Sequence, residues 1–379
     1  MSAPILWKSL PHIQSAMGIT NFAWDGESIC FSNDQQLIRF YPGRRKTDIN
    51  GTLVWLNATP DGSVPSGDWR ISATDLDLLS LAVLPKQEGE PKPLRVMLDP
   101  GHGGEDDGAS SKHPPVKEKD LTLQVALKIG AHLTKAGMQV SYTRTNDTAL
   151  ALEERSRLAR KTQSDLFVSV HANYAANTEA SGVETYVLPS SGYPGTAEGS
   201  RARGWQIGNR NDYHNTLLGF SLHRKLAMHD RSTDRGLKRQ SFFVLRETSC
   251  PAVLIEFGFL SNPSDILKIQ DAQWQEKCAT AITEGILSYS RKVDALDKAV
   301  AEKRAHESEM NERWRHHLAS CAPPKEPLQS LSPANDATVI PPPPTNVAPP
   351  LSSPSTNTSP LDMETLIEFY ATGKNGLIQ

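Results

Sequence analysis

Two short apolar runs that each end in a histidine constrain this chain most: Val96-Met97-Leu98-Asp99-Pro100-Gly101-His102 and Leu166-Phe167-Val168-Ser169-Val170-His171. Each reads as a strand buried on both faces, because the run is compact, apolar and closed by turn residues. Residues 138–142 and 253–257 read the same way. Between them lie helical periods. Leu121, Val125, Ile129 and His132 or Leu133 share one face, and residues 150–159 and 217–228 repeat the pattern. Strands alternating with helices predict an α/β fold, a twisted and mostly parallel sheet flanked by helices. Such sheets bind ligands beyond the carboxyl ends of their strands, which is where both histidines fall.

The 379-residue length leaves room for more than this one layer. Residues 1–90 carry short strand-like runs punctuated by Asp25-Gly26, Asn50-Gly51 and Asp61-Gly62, the pattern of a small β-rich accessory module. A Pro- and Glu-bearing linker at 88–93 leads into the α/β domain, residues 94–292. Residues 293–320 are dense in charge, with an apolar stripe at Val293, Leu296 and Val300 resumed by Met310, Trp314 and Leu318. They predict a solvated helix docked on the domain. Residues 321–360 include four consecutive prolines at 341–344 and bury too little apolar surface to offset their ordering entropy. They predict a disordered Pro-rich linker. Residues 361–379 regain a short amphipathic helix, with Met363, Leu366, Ile367 and Tyr370 on one face. That helix is a candidate docking element for an activator or other partner protein.

A formal net charge of -3 argues against nucleic acid as a partner. No apolar run reaches the roughly 18 residues of a membrane span. The first twenty residues show no basic start, apolar block or cleavage site of a signal peptide. The four cysteines form no CxxC pair, and their spacing specifies no disulfide, Cys250–Cys278 included.

Chemistry concentrates in four side chains. His102 and His171 emerge from the ends of two strands that can lie side by side. A catalytic zinc site takes three protein ligands, commonly two His and one carboxylate, with a fourth position open. Glu118, just before the helix that begins near Leu121, is the candidate carboxylate, although an acid there also suits a helix N-terminus. Glu256 interrupts the apolar run Val253-Leu254-Ile255-Glu256-Phe257. An acid in that setting is costly unless paired or functional, so it is a candidate general base. Asn173 is a candidate for orienting substrate, and Arg155 is expected to anchor its helix by an internal ion pair.

These residues lie in segments that resemble the zinc N-acetylmuramoyl-L-alanine amidases of the amidase-3, AmiC-like type. The matching segments include LDPGHGGEDDGA, KEKDLTLQVALKI, DLFVSVHAN, SGVETYVL and CPAVLIEFGFLSNPSD, in the family's order. The resemblance implies Zn2+ held by His102, Glu118 and His171, with Glu256 as the catalytic glutamate. It implies peptidoglycan as the substrate, cut between N-acetylmuramic acid and L-alanine during cell-wall remodelling or lysis, and a place in the cell envelope. Another zinc peptidase or deacylase, or a wall-binding scaffold acting through the chain ends, are the competing readings. Residues 31–56 are similar to the N-terminal β domain of copper amine oxidases, with no copper ligand cluster. Residues 189–215 are polar and glycine-bearing. They predict a loop lining the cleft, poorly suited to act as an occluding helix.

Overall fold

The computed structural model describes residues 5–19, 21–65, 67–82, 90–112, 115–230 and 233–321. The expected Pro-rich linker and terminal helix, 321–360 and 361–379, lie outside the described residues, apart from Cys321. Eleven strands form one sheet: β1 (Asn21–Trp24), β2 (Ile29–Ser32), β3 (Leu37–Phe40), β4 (Lys46–Ile49), β5 (Thr52–Trp55), β6 (Arg95–Pro100), β7 (Gln139–Tyr142), β8 (Leu166–Asn173), β9 (Val183–Val187), β10 (Asp234–Arg239) and β11 (Ala252–Phe259). Their spatial order is β7-β6-β8-β11-β9-β10-β5-β4-β3-β2-β1. The helices are α1 (Leu10–Met17), α2 (Ala73–Ala82), α3 (Glu118–Lys135), α4 (Leu152–Lys161), α5 (Asp212–Asp230), α6 (Phe243–Glu247), α7 (Pro263–Gln270), α8 (Ala272–Ser290) and α9 (Val293–Cys321).

The half of the sheet that bears the site is parallel, as the buried runs predict. β7, β6, β8 and β11 run the same way. One face is covered by α3, α5 and α8, whose Val125, Ile129, Leu217, Leu222 and Ile282 close over Val168 and Ile255. The other face packs Met97, Phe167 and Leu254 against Ala159 of α4 and Val244 of α6. The predicted stripe of α3 holds: Leu121, Val125, Ile129 and Leu133 are all buried. β9 then reverses the sheet's sense, running antiparallel to β11.

Composition places a boundary near residue 90, yet the N-terminal strands are continuous with this sheet. Leu237 of β10 pairs with Val54 of β5, Leu53 N donates to Asp234 Oδ2 (2.9 Å), and Arg239 Nε donates to the Trp55 carbonyl (3.1 Å). Ile29, Phe31, Ile38, Phe40 and Trp69 join the same hydrophobic core as the α/β helices. A linker in the covalent chain is therefore not a gap in the fold. β1 to β5 form an antiparallel meander. Its β4–β5 turn is Asn50-Gly51, with φ of 53° and 77°. Positive φ at both central residues is what a type I′ hairpin turn needs, and Asn-Gly supplies it at low steric cost.

In α9, Val293, Leu296 and Val300 are buried, whereas Trp314 is 39% exposed. Among the described residues, the buried part of the stripe lies in the first turns of the helix. Among the described residues, no helix is long and apolar enough to cross a membrane. Cys250 is not bridged to Cys278.

Candidate metal centre and active site

β6 ends at Pro100 and the chain turns through Gly101-His102-Gly103-Gly104, with His102 itself at φ 61°, in the left-handed region. Two buried arginines hold this turn by its carbonyls. Arg155 donates to Pro100 O (2.9 Å) and His102 O (2.8 Å); Arg144 donates to Pro100 O (3.0 Å) and Gly101 O (2.7 Å). The ion-pair partner of Arg155 is Asp99, at 2.8 Å, with both side chains almost wholly buried (relative exposures 4% and 1%). Asp99 also accepts from Thr143 and Ser169, so its charge is satisfied on three sides.

Glu118 is the first residue of α3 and is buried. Its Oε1 lies 2.9 Å from His171 Nδ1 and accepts from Ala172 N at 3.1 Å. Its Oε2 lies 3.1 Å from His102 Nε2 and accepts from Ala109 N at 2.8 Å. Burial opposes a charge on Glu118, but the two histidines outweigh it and hold the carboxyl well below the usual range. His102 Nδ1 faces Asp106 Oδ2 at 2.8 Å, a contact that orients the ring.

One ligand atom from each of His102, Glu118 and His171 can be chosen so that all three lie within 4.8 Å of one another. The donor set suits a metal ion, and the backbone leaves space for it. A Cβ on Gly101 would stand 2.3 Å from His171 Cε1, and one on Gly108 would stand 2.6 Å from Glu118 Oε2. Gly101→Ala is therefore expected to push the His171 ring aside and lower metal affinity about 10- to 100-fold, the usual cost of disturbing a ligand's support. Competition with a chromophoric chelator measures this, with circular dichroism to show an intact fold. Wild-type affinity in the variant would mean that the glycine does not guard the site.

Glu256 is brought to the same point by strand register. In the β8–β11 pair His171 opposes Glu256, and in the β9–β11 pair Glu184 opposes Glu256. The three therefore lie in a row on one face. Glu256 Oε2 is buried and has no hydrogen-bond partner among the described residues. Burial first, then the charges of Glu118 and Glu184, push its carboxyl well above the usual range. Glu184 behaves oppositely. Burial disfavours its charge, but Lys238 (2.5 Å), Tyr186 and Arg235 (2.5 Å) outweigh that and lower its pKa. Two carboxylates side by side are thus held unlike, one charged and one favouring its proton.

A cleft of about 560 Å³ holds His102, Glu118, His171 and Glu256, and is walled by Leu152 and Phe243. A model of a family described as N-acetylmuramoyl-L-alanine amidase matches residues 96–288, which contain all four. The chain belongs to this amidase family. It is 33% identical over 196 residues to the N-acetylmuramoyl-L-alanine amidase LytC of Bacillus subtilis (52% of this chain, 35% of LytC). It is 31% identical over 229 residues to AmiC of Escherichia coli O6:H1 (54% and 55%). It is 37% identical over 213 residues to the uncharacterized protein YqiI of Bacillus subtilis (56% and 93%). A solved amidase structure from Clostridium difficile 630 is 36% identical and covers 52% of this chain and 96% of that one, with a TM-score of 0.45. The chain spans about a third of LytC and about half of AmiC.

Asn173 lies where the sequence predicts, at the cleft, and residues 189–215 do not. Asn173 lines the cleft, but its side chain is engaged within the protein: Nδ2 donates to Glu184 Oε2 (3.1 Å) and Oδ1 accepts from Tyr174 N (2.7 Å). Residues 189–215 do not line the cleft. β9 runs away from Glu256, so the segment after it starts at the opposite end of the sheet, tied to Asn57, Arg45 and Arg239. Glu184 and Asp106 are site residues that the sequence reading missed. Glu184 carries a weaker signal than Glu256, because its strand, Val183–Val187, also holds Thr185.

Proposed function

We propose that this chain is a zinc-dependent hydrolase that cuts the amide between the lactyl carbonyl of N-acetylmuramic acid and the L-alanine of the stem peptide in peptidoglycan. The observation that supports it most is the convergence of His102, Glu118 and His171 beside an unpartnered, buried Glu256 in a chain of this family. His102, Glu118 and His171 would hold the metal, which when bound supplies Lewis acidity to the scissile carbonyl. Glu256 takes a proton from the attacking water and returns it to the departing alanine amine. Asn173, held by Glu184 at the edge of the cleft, is the candidate for orienting the substrate. Phe243 and Leu152 give the cleft an apolar wall. Residues 94–292 are the catalytic unit, and residues 1–90 an accessory region. The working place is the cell envelope, outside the cytoplasm.

The test is digestion of purified sacculi with and without a chelator, followed by mass spectrometry. Intact stem peptides bearing a free L-alanine amine are expected, and a chelator should abolish them. Fragments cut inside the peptide, or deacetylated glycans, would replace this reading with a peptidase or deacylase.

A further inference from the structure

The cleft has a different wall at each end, and strand register says which end is which. β6, β8, β11 and β9 lie side by side, so His102 beyond β6, then His171, Glu256 and Glu184 stand in that order across the sheet. Leu254, two residues before Glu256 and on the same face, packs with Ala159 of α4 and Val244 of α6. Both helices therefore cover the face that bears this row, and both begin at the cleft.

At the His102 end stands the start of α4. Its Arg155 donates to the His102 carbonyl at 2.8 Å, and Leu150, Ala151 and Leu152 line the cleft one turn earlier. Leu152 is 50% exposed. At the Glu184 end stands the start of α6. The Phe242 ring centroid is 5.2 Å from that of Tyr186 of β9, and Phe242, Phe243 and Val244 line the cleft there. Phe243 is half-buried.

We infer that the substrate lies across the strands with one polarity, its muramoyl group against Leu152 at the α4 wall and its stem peptide against Phe243 at the α6 wall. The inference rests on the amidase reading above. The scissile bond sets the direction. Its nitrogen takes a proton from Glu256, so it must come within hydrogen-bond reach of that carboxyl. Its carbonyl is polarised at His102, Glu118 and His171, which lie on the side of Glu256 away from Glu184. The bond therefore points along the row, carbon toward His102 and nitrogen toward Glu184. An amide is planar and trans, so the lactyl carbon and the alanine Cα leave it in opposite directions. The acyl half runs toward α4 and the amine half toward α6. Leu152 offers an aliphatic surface to the lactyl and N-acetyl methyl groups, and Phe243 offers a flat ring to the peptide.

The experiment uses the full chain with its metal and the two products of the reaction. Calorimetric titration follows N-acetylmuramic acid and, separately, a tetrapeptide that begins with a free L-alanine amine. Leu152→Ala is expected to weaken binding of the sugar acid about fivefold and that of the peptide by less than about twofold. Phe243→Ala is expected to weaken the peptide about tenfold and the sugar acid by less than about twofold. Phe243→Leu keeps an apolar side chain in place and should weaken the peptide alone, by about threefold, so a folding defect in Phe243→Ala does not decide the result. The reverse pattern, or variants that weaken both ligands alike or neither, overturns the polarity. Sacculus digestion by the wild type judges the amidase reading separately. Release of stem peptides together with the reverse pattern overturns the polarity alone, and no release removes the amidase reading and the polarity with it.

Discussion

Glu256→Gln is expected to lower kcat on peptidoglycan by about 10³-fold, within the 10²–10⁴ range of a positioned acid/base, and to leave metal content unchanged. The amide keeps the shape of the carboxyl but can neither accept nor return a proton. Loss of fold does not compete as an explanation, because the change removes a buried titratable group. The folded-state pKa of Glu256 is raised, so the folded protein binds this proton more tightly than the unfolded chain does. Stability from this group is therefore lost as pH rises above the ordinary carboxylate range and through the folded value. The glutamine side chain has no such loss, and the variant should melt at the same temperature as the wild type or higher at neutral pH. Sacculus turnover, metal analysis and a thermal melt on one preparation measure all three. Turnover within tenfold of wild type would remove Glu256 from the proton-transfer role.

The second large effect is expected at Glu118. Its carboxylate would give the metal a ligand, and it also ties together His102, His171, Ala109 N and Ala172 N. Glu118→Ala should abolish stoichiometric metal binding and reduce sacculus turnover to background, a loss beyond about 10³-fold, because two imidazoles alone fall short of a catalytic zinc ligand set. The metal-free variant should also lose about 1–3 kcal/mol of stability for the Ala172 N–H left buried without an acceptor. A melt with and without added metal separates the effects. The wild type should gain stability on adding metal, by about 2.7 kcal/mol at a hundredfold excess over Kd, and the variant should gain none. A variant that still melts higher with metal would show that Glu118 is not a ligand.

Much of this was legible one segment at a time. The apolar runs before His102 and His171, the helical stripe of α3 and the Asn50-Gly51 turn all rest on periodicities of two or 3.6 residues and on local turn chemistry. Glu256 was found because an acid inside an apolar strand needs a reason. Glu184 is not legible in this way, since its meaning comes from the cross-strand partner, and register is not written in either strand alone. The reversed sense of β9 misplaced residues 189–215 for the same reason. The break near residue 90 was real in composition but not in the sheet, because backbone hydrogen bonding along an edge takes no notice of a linker elsewhere in the chain.

By itself, then, the sequence determined the residue types of the site, the strand ends that present them and the α/β layering, because these depend on neighbours within a few residues. Only the tertiary structure decided that Glu118 bridges both histidines, that Glu184 stands beside Glu256, and that the meander of β1 to β5 extends the active-site face. Those outcomes depend on which strands pair and in what register, a choice made by burying one continuous core over the whole sheet.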